Sequence, residues 1–164
     1  MRWVNIYIET DSTVLKEAIR RTGYVMECLV HGEAVTRETF GTKTGTYNAA
    51  VLQTMAEALG RMKEPCEIHI YSRNVYVMNM LQYLPEWEQE GYRLKSGELR
   101  KNTSEWQAIR RLSTQHLLVG EAGEHPYSEW MIAQMAHLVS EHETDGSDNK
   151  NGTSDNKTGG FDNK

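Results

Sequence analysis

Three polar residues stand where one buried strand ends and an amphipathic helix begins. The apolar run that ends at Ile70 leads into Ser72, Arg73 and Asn74, and a helical pattern starts immediately afterwards. In open α/β sheets, ligands bind at the carboxyl ends of strands, so these residues mark a candidate site. Its most prominent group is a guanidinium, which stays protonated and forms bidentate hydrogen bonds with carboxylates.

Other reactive side chains lack the patterns that catalysis requires. The six histidines do not have zinc-ligand spacing, and the chain has no Gly-rich phosphate loop or nucleophile elbow. Ser72 has no neighbouring His or acid in the sequence to activate it. Cys28 and Cys66 lie in separate strand-like runs, which favours two buried thiols in a reducing, cytoplasmic compartment.

Length and charge limit the classes of function. The 164 residues are enough for one domain with a buried core, and no segment has the pattern of a membrane span or secretory leader. The formal net charge is -5, and the segment from Glu141 onward holds six acids and three lysines, so the body carries about -2. That balance does not indicate a general nucleic-acid binder, so such a role requires a local basic patch.

The C-terminal segment repeats with a period of seven residues. "TDGSDNK", "NGTSDNK" and "TGGFDNK" follow one another from Thr144 to Lys164 without an apolar seam. A polar, Gly-rich segment buries too little apolar surface to offset its conformational entropy. We therefore expect a folded domain over residues 1–141 and a disordered tail over residues 142–164.

Hydrophobic periodicity predicts an alternation of strands and helices. Val4, Ile6 and Ile8 alternate as in a strand, whereas the segment 12–23 has apolar residues at helical spacing. The remaining pattern predicts a hairpin around His31, then a helix, a strand, two helices, a strand and a final helix. The order is β, a helical insert, β, β, α, β, α, α, β, α, which predicts a mixed sheet covered by helices.

Five sequence blocks resemble a known family in the same order. "VNIYIETD", "TYNAAVLQTMAEAL", "EPCEIHIYSRNVYV", "YRLKSGELRKNTSEWQ" and "EHPYSEW" resemble blocks of small bacterial type 1 ribonuclease H domains, especially those carried on mobile elements. The resemblance extends from about Val4 to Trp130, with gaps in the hairpin. It implies the α/β ribonuclease H-like fold, a mixed five-stranded sheet in which an antiparallel meander joins parallel strands and helices flank both.

The resemblance also implies a chemistry. The family cleaves the RNA strand of RNA–DNA hybrids with two Mg²⁺ or Mn²⁺ ions held between four acids. The first acid matches Asp11, with Glu9 two residues earlier as a substitute, and the fourth matches Glu129. The helix acid falls on Val51 and the third acid falls on Arg73, so two metal ligands are replaced. We expect a degenerate active site, typical of a pseudoenzyme, in which Asp11 and Glu129 hold metal weakly or not at all and no cofactor is required.

Two interpretations of Arg73 remain open at this point. In the first, its guanidinium pairs with the surviving carboxylates and replaces the missing cation, so that Asp11, Arg73 and Glu129 converge at one end of the sheet. In the second, Arg73 points into solvent at the start of the next helix. The family's loop His falls on Glu121, although His125 lies close by in the sequence.

A basic segment follows the third predicted helix. Its lysines and arginines are interleaved with Trp87, Tyr92 and Trp106. In the resembled family this region holds the hybrid's backbone, and A-form helices are recognised through shape, phosphates and 2′-hydroxyls. We expect such binding to be weak here and to decrease as the salt concentration rises. The alternative is a solvated charged surface with Trp87 and Trp106 packed inward. The candidate nucleic-acid-binding residues are Arg93, Lys95, Arg100, Lys101, Asn102 and Trp106.

Three functions are therefore compared. The first is a monomeric ribonuclease H-like domain that binds RNA–DNA hybrid or duplex RNA without efficient cleavage. The second is an active hybrid nuclease that uses substitute carboxylates such as Glu9, Glu57 or Glu121. The third is an adaptor that uses the fold to bind a protein partner. The first is preferred, because function is argued from the site rather than from the fold.

Overall fold

The computed structural model describes residues 1–148, in which one five-stranded sheet forms the centre. The strands are β1 Arg2–Thr10, β2 Ala18–Val30, β3 Glu33–Gly45, β4 Cys66–Ser72 and β5 Leu117–Ala122. Their order in the sheet is β3-β2-β1-β4-β5, with antiparallel pairing along β1, β2 and β3 and parallel pairing of β1 with β4 and β4 with β5. This mixed sheet confirms the predicted fold class.

Helices cover both faces of the sheet. A short 3-10 turn at Leu81–Tyr83 separates the second and third helices. None of the helices described within residues 1–148 is both long enough and apolar enough to cross a membrane. The helices are α1 Tyr47–Leu59, α2 Val75–Met80, α3 Leu84–Gln89, α4 Thr103–Ser113 and α5 Ser128–Asp148.

Local signals fix several element ends. The side chain of Thr46 caps α1 by accepting a hydrogen bond from the backbone N–H of Ala49. His31 and Gly32 both have positive φ angles, as the tight turn of the β2–β3 hairpin requires. The predicted hairpin is therefore confirmed.

Two apolar layers lie on opposite faces of the sheet. On one face the strands pack against α1 and α4, and on the other Met131 and Met135 of α5 pack against Tyr7, Val25 and Phe40. Because side chains alternate along a strand, Glu9 lies on the same face as Tyr7, toward α5. The first layer includes Ile6, Ile8, Leu52, Met55, Ile68, Ile70, Trp106 and Ile109.

The predicted helical insert at residues 12–23 is wrong. Residues 12–17 form a loop, and β2 begins at Ala18. Arg20 is only 1% exposed, and its guanidinium donates to the carbonyls of Ser12, Val14, Lys16 and Gly45. A helix over these residues would direct the loop carbonyls toward its own N–H groups, whereas Arg20 binds them in an extended loop.

The predicted domain boundary at residue 141 falls inside α5, which continues to Asp148. The remainder of the predicted disordered tail, residues 149–164, lies outside the described residues.

Candidate functional site

A buried ion pair joins the ends of β1 and β4. The Glu9 side chain is 1% exposed, whereas that of Arg73 is 29% exposed. Both Nε and Nη2 of Arg73 lie 2.9 Å from Oε1 of Glu9, and Nη2 is 3.4 Å from the carbonyl oxygen of Thr10. The guanidinium therefore neutralises a carboxylate that burial would otherwise leave uncompensated.

The parallel register of the two strands explains this meeting. Tyr7 pairs with Tyr71, so two residues further along the same face Glu9 comes beside Arg73. The strand end is held firmly, because Ser72 Oγ accepts a hydrogen bond from the N–H of Asn74. Asn74 in turn caps α2 and donates to Asn48 of α1, so Arg73 lies between two anchored neighbours.

The first turn of α5 supplies the second oxygen of Glu9 with a donor. The Ser128 hydroxyl donates to Oε2 of Glu9 at 2.6 Å and accepts from the N–H of His125 at 3.0 Å. Nδ1 of His125 accepts from the N–H of Tyr127, so Nε2 carries the proton and donates to the Ile8 carbonyl at 3.1 Å. Both carboxylate oxygens of Glu9 are thus engaged.

His125 is a neutral member of this cluster. Burial lowers its pKa below the ordinary imidazole value, and this effect exceeds the opposing influence of the Ile8 carbonyl and of Glu9. The Arg73 guanidinium acts in the same direction as burial. The centre therefore contains one negative charge, on Glu9, and one positive charge, on Arg73. The charges of these two groups cancel.

The structure brings only part of the predicted site together. Arg73 contacts Glu9, the named substitute, rather than Asp11, and the α5 residue that contacts Glu9 is Ser128 rather than Glu129. Asp11 and Glu129 are both exposed. Within residues 1–148, no group of three or more His, Cys, Asp or Glu side chains is arranged to hold a metal ion.

The other positions that match family acids or substitutes have different surroundings. Val51 is buried in the apolar layer beneath α1. Glu57 forms a surface ion pair with Lys43, and Glu121 lies 3.8 Å from Nδ1 of His69. The two carboxylates therefore have partners elsewhere than in the Glu9 centre.

Ser128 was missed by sequence reasoning, and His125 was noted only for its nearness to the loop position. One available signal was the position of Ser128 directly before Glu129 at the opening of the last helix. The other was the parallel alignment of β1 with β4, which ends at Tyr7 opposite Tyr71 and brings Glu9 near Arg73 two residues further along. The burial of an acid, however, cannot be predicted from the local periodicity of apolar residues.

The basic segment forms a small hairpin-like loop between α3 and α4. Arg93 and Leu99 form a bridge, and the N–H of Leu94 donates to the Glu98 carbonyl at 2.8 Å. Arg93 also donates to the Gly97 carbonyl at 2.8 Å. Arg93 and the exposed Lys95 therefore project from a loop whose backbone is fixed.

Aromatic packing supports this loop from below. Trp106 is buried and packs edge-on against Trp87 at 5.1 Å, so its ring does not reach a ligand at the surface, contrary to its selection as a binding residue. The Arg100 guanidinium stacks on Trp87 at 4.0 Å. Asn102 has a left-handed conformation at the N-cap of α4, next to the exposed Lys101.

Several known proteins with similar sequences are ribonucleases H. No protein-family model matches the chain. Ribonuclease H of Bartonella bacilliformis is 32% identical over 117 residues, covering 67% of this chain and 75% of the relative. Ribonuclease H of Rhizobium etli is 31% identical over 118 residues, covering 68% and 72%. Other matches are shorter, spanning 66% of the Acidovorax relative and 52% of that from Acetivibrio thermocellus.

Solved structures share the fold at lower sequence identity. LC9-RNase H1, a type 1 RNase H with the type 2 active-site motif, has a TM-score of 0.64 at 20% identity, covering 85% of this chain and 72% of that one. The foamy viral protease-reverse transcriptase, solved in complex with RNA/DNA hybrid, has a TM-score of 0.57 at 16% identity, covering 85% and 19%. At these identities the structural similarity concerns the fold alone.

Proposed function

This chain belongs to the ribonuclease H family, and on that basis we propose that it binds the backbone of RNA–DNA hybrid or duplex RNA without cleaving it efficiently. The observation that carries the proposal is the buried ion pair between Glu9 and Arg73, which stands at the carboxyl end of the central strands. The resemblance implies Mg²⁺ or Mn²⁺ at this place.

The donor set here does not fit a divalent ion. Mg²⁺ prefers several hard oxygen ligands, whereas Glu9 already shares its two oxygens between Arg73 and Ser128. Of the four positions that match family acids, two no longer hold an acid: Val51 is apolar and Arg73 is cationic. No step of a metal-dependent reaction is therefore assigned to these residues.

Coulomb's law gives the magnitude of the repulsion between Arg73 and a bound metal ion. A unit charge about 4 Å away contributes about 4 kcal/mol at an effective dielectric of about 20. The Arg73 guanidinium would repel a divalent cation at that distance by about twice this energy, about 8 kcal/mol, which lowers the metal affinity by about six orders of magnitude. Slow or absent cleavage follows, because the metal supplies both the activated water and stabilisation of the leaving oxygen.

Backbone binding is assigned to the basic loop. Lys95 and Lys101 are exposed, while Arg93 is fixed by Gly97 and Arg100 by Trp87. Ordered cations suit an A-form backbone, which proteins recognise through phosphates and 2′-hydroxyls. Few such contacts on an acidic chain make the binding weak and sensitive to salt.

A cleavage assay tests the catalytic half of the proposal. A labelled RNA–DNA hybrid is incubated with the full chain in Mg²⁺ and separately in Mn²⁺, beside an active ribonuclease H as positive control. We expect no product or a rate several orders of magnitude below that control. Efficient cleavage by the unaltered chain would overturn the proposal in favour of an active nuclease that uses substitute acids.

A titration in EDTA tests the binding half. Replacing Lys95, Arg100 and Lys101 together by Gln should weaken hybrid binding and flatten its dependence on salt concentration. The matched control replaces Arg2, Arg21 and Lys63 by Gln, since these residues lie outside the loop and the net charge changes equally. Equal losses in both variants, or binding that does not respond to salt, would contradict the assignment of the loop.

If neither hybrid nor duplex RNA binds, the remaining function is a protein-binding adaptor. A cytoplasmic location belongs to the same proposal, and it is supported by the two free thiols of Cys28 and Cys66.

A further inference from the structure

Part of the α5-side sheet surface carries exposed aromatic and apolar groups. Trp3 is 51% exposed and Leu117 is 52% exposed. The strand register aligns Trp3 with Glu67 and Glu67 with Leu117, so their side chains share one face. The indole of Trp3 stacks on the ring of His69 with centroids 4.0 Å apart, which fixes the orientation of its other face.

Carboxylates surround this stack. Nε2 of His69 lies 2.9 Å from Glu67, and Nδ1 lies 3.8 Å from Glu121. Glu27 is held on the same face by hydrogen bonds from Asn5 at 3.0 Å, Tyr7 at 3.0 Å and Tyr127 at 3.2 Å. We call this surface the open sheet face. It comprises Trp3, Glu27, Glu67, His69, Leu117 and Glu121, a set without lysine or arginine.

We infer that the open sheet face binds an arginine-rich segment of a partner protein. The inference rests on charge complementarity, because Glu67 and Glu121 lie beside His69, on which the exposed Trp3 ring stacks, and Glu27 lies on the same face. Guanidinium groups pair with carboxylates in bidentate geometry and also stack on tryptophan, so arginine satisfies both features at once. This site is independent of the proposed binding of nucleic acid.

A nucleic acid is the wrong partner for this surface. Its phosphates would lie against Glu27, Glu67 and Glu121 without a lysine or arginine of this set to pair with. The negative carboxylates would repel the negative phosphates. The basic loop between α3 and α4 carries the opposite charge, which is positive. The two surfaces therefore select partners of opposite charge.

The test uses a short amidated peptide of alternating arginine and serine, titrated into the ¹⁵N-labelled full chain and followed by NMR. We expect shifts at the Trp3 indole N–H and at amides of β1, β4 and β5. A lysine–serine peptide of equal charge should bind about threefold more weakly, because an ammonium stacks less well on Trp3.

Variants locate the interaction. Glu67→Gln with Glu121→Gln should weaken the arginine peptide about fivefold to tenfold, whereas Glu90→Gln with Glu98→Gln, which removes the same charge at exposed positions, should have little effect. Trp3→Leu should abolish the preference for arginine over lysine. No binding, equal effects of both double variants, or the same shifts with a glutamate–serine peptide or with hybrid duplex would overturn the inference.

Discussion

At the scale of single residues, protein groups satisfy both oxygens of the buried Glu9 carboxylate. Glu9 receives the Arg73 guanidinium on one oxygen and the Ser128 hydroxyl on the other. The charges on the pair cancel, so the carboxylate is compensated without a bound cation. A buried charge compensated in this way becomes costly as soon as its partner is removed.

Arg73→Gln should therefore lower the free energy of unfolding by about 3 kcal/mol, because Glu9 remains buried and unpaired. The double variant Arg73→Gln with Glu9→Gln should recover much of that loss. Urea denaturation measures both. Lys43→Gln is the control, since it breaks the more exposed pair with Glu57 and should cost at most about 1 kcal/mol. Equal losses for Arg73→Gln and Lys43→Gln would contradict a buried, compensating pair.

His125 gives the fold a dependence on pH. Its pKa is lowered in the folded state, so the unfolded chain takes up the proton first as the pH falls below about 6.5. The stability that neutral His125 contributes is fully present above that pH. It is lost as the pH falls toward the lower pKa of the folded state. We expect the melting temperature of His125→Gln to change less than that of the unaltered chain between about pH 7 and about pH 5.

The control for this measurement is His31→Asn, at an exposed turn position whose left-handed backbone Asn tolerates. It should keep the pH response of the unaltered chain. Some slope persists in His125→Gln, because burial also lowers the pKa of His116. Identical slopes in all three proteins would show that His125 does not contribute.

At the scale of elements, most of the fold could be predicted because burial repeats along strands and helices. Residues 12–23 were predicted wrongly because their apolar residues mimic a helical stripe, yet Leu15 is 71% exposed and Ile19 is 75% exposed. The buried charged side chain of that segment is Arg20, and a pattern of apolar residues does not identify it. For the same reason, the pattern of apolar residues does not predict the burial of Glu9. That burial depends on partners from β4 and α5 that are distant in the chain.

Close packing of α2 on β5 depends on Gly120. A Cβ atom there would lie 2.5 Å from the Met78 carbonyl oxygen, which belongs to the backbone and does not yield easily. Gly120→Ala should lower the free energy of unfolding by about 1–3 kcal/mol, measured in urea. Gly41→Ala on β3 is the control, because its Cβ meets nothing within 4 Å. A neutral Gly120→Ala would show that α2 shifts without cost.

At the scale of the whole molecule, the contribution of the fold and that of the Glu9 centre can be tested separately. The structure identifies Ser128 as the α5 residue that contacts Glu9, whereas sequence matching selected Glu129. The combined variant Val51→Glu, Arg73→Asp and Ser128→Asp restores an acid at two family positions and places another directly beside Glu9. We expect it to bind Mg²⁺ in calorimetry and to cleave hybrid detectably, since several carboxylates offset the repulsion between two metals.

The matched control for that variant replaces Glu129 in place of Ser128, combining Val51→Glu, Arg73→Asp and Glu129→Asp. It should bind Mg²⁺ more weakly, because Glu129 is exposed and Ser128 is the residue in contact with Glu9. Equal Mg²⁺ affinity in the two variants would contradict the assignment of Ser128 to the centre.

The pairing of Glu9 with Arg73 also restricts the mutational paths open to this chain. Arg73→Asp alone sets a second carboxylate beside the buried Glu9 with no cation between them, and loss of Glu9 alone leaves the guanidinium without its partner. Each single step passes through a less stable protein, so the fitness effect of one change depends on the other. The two substitutions that convert an ion-paired centre into an acid-rich one are thus epistatic. The present centre is a local optimum of stability, and it persists even where no selection maintains its function.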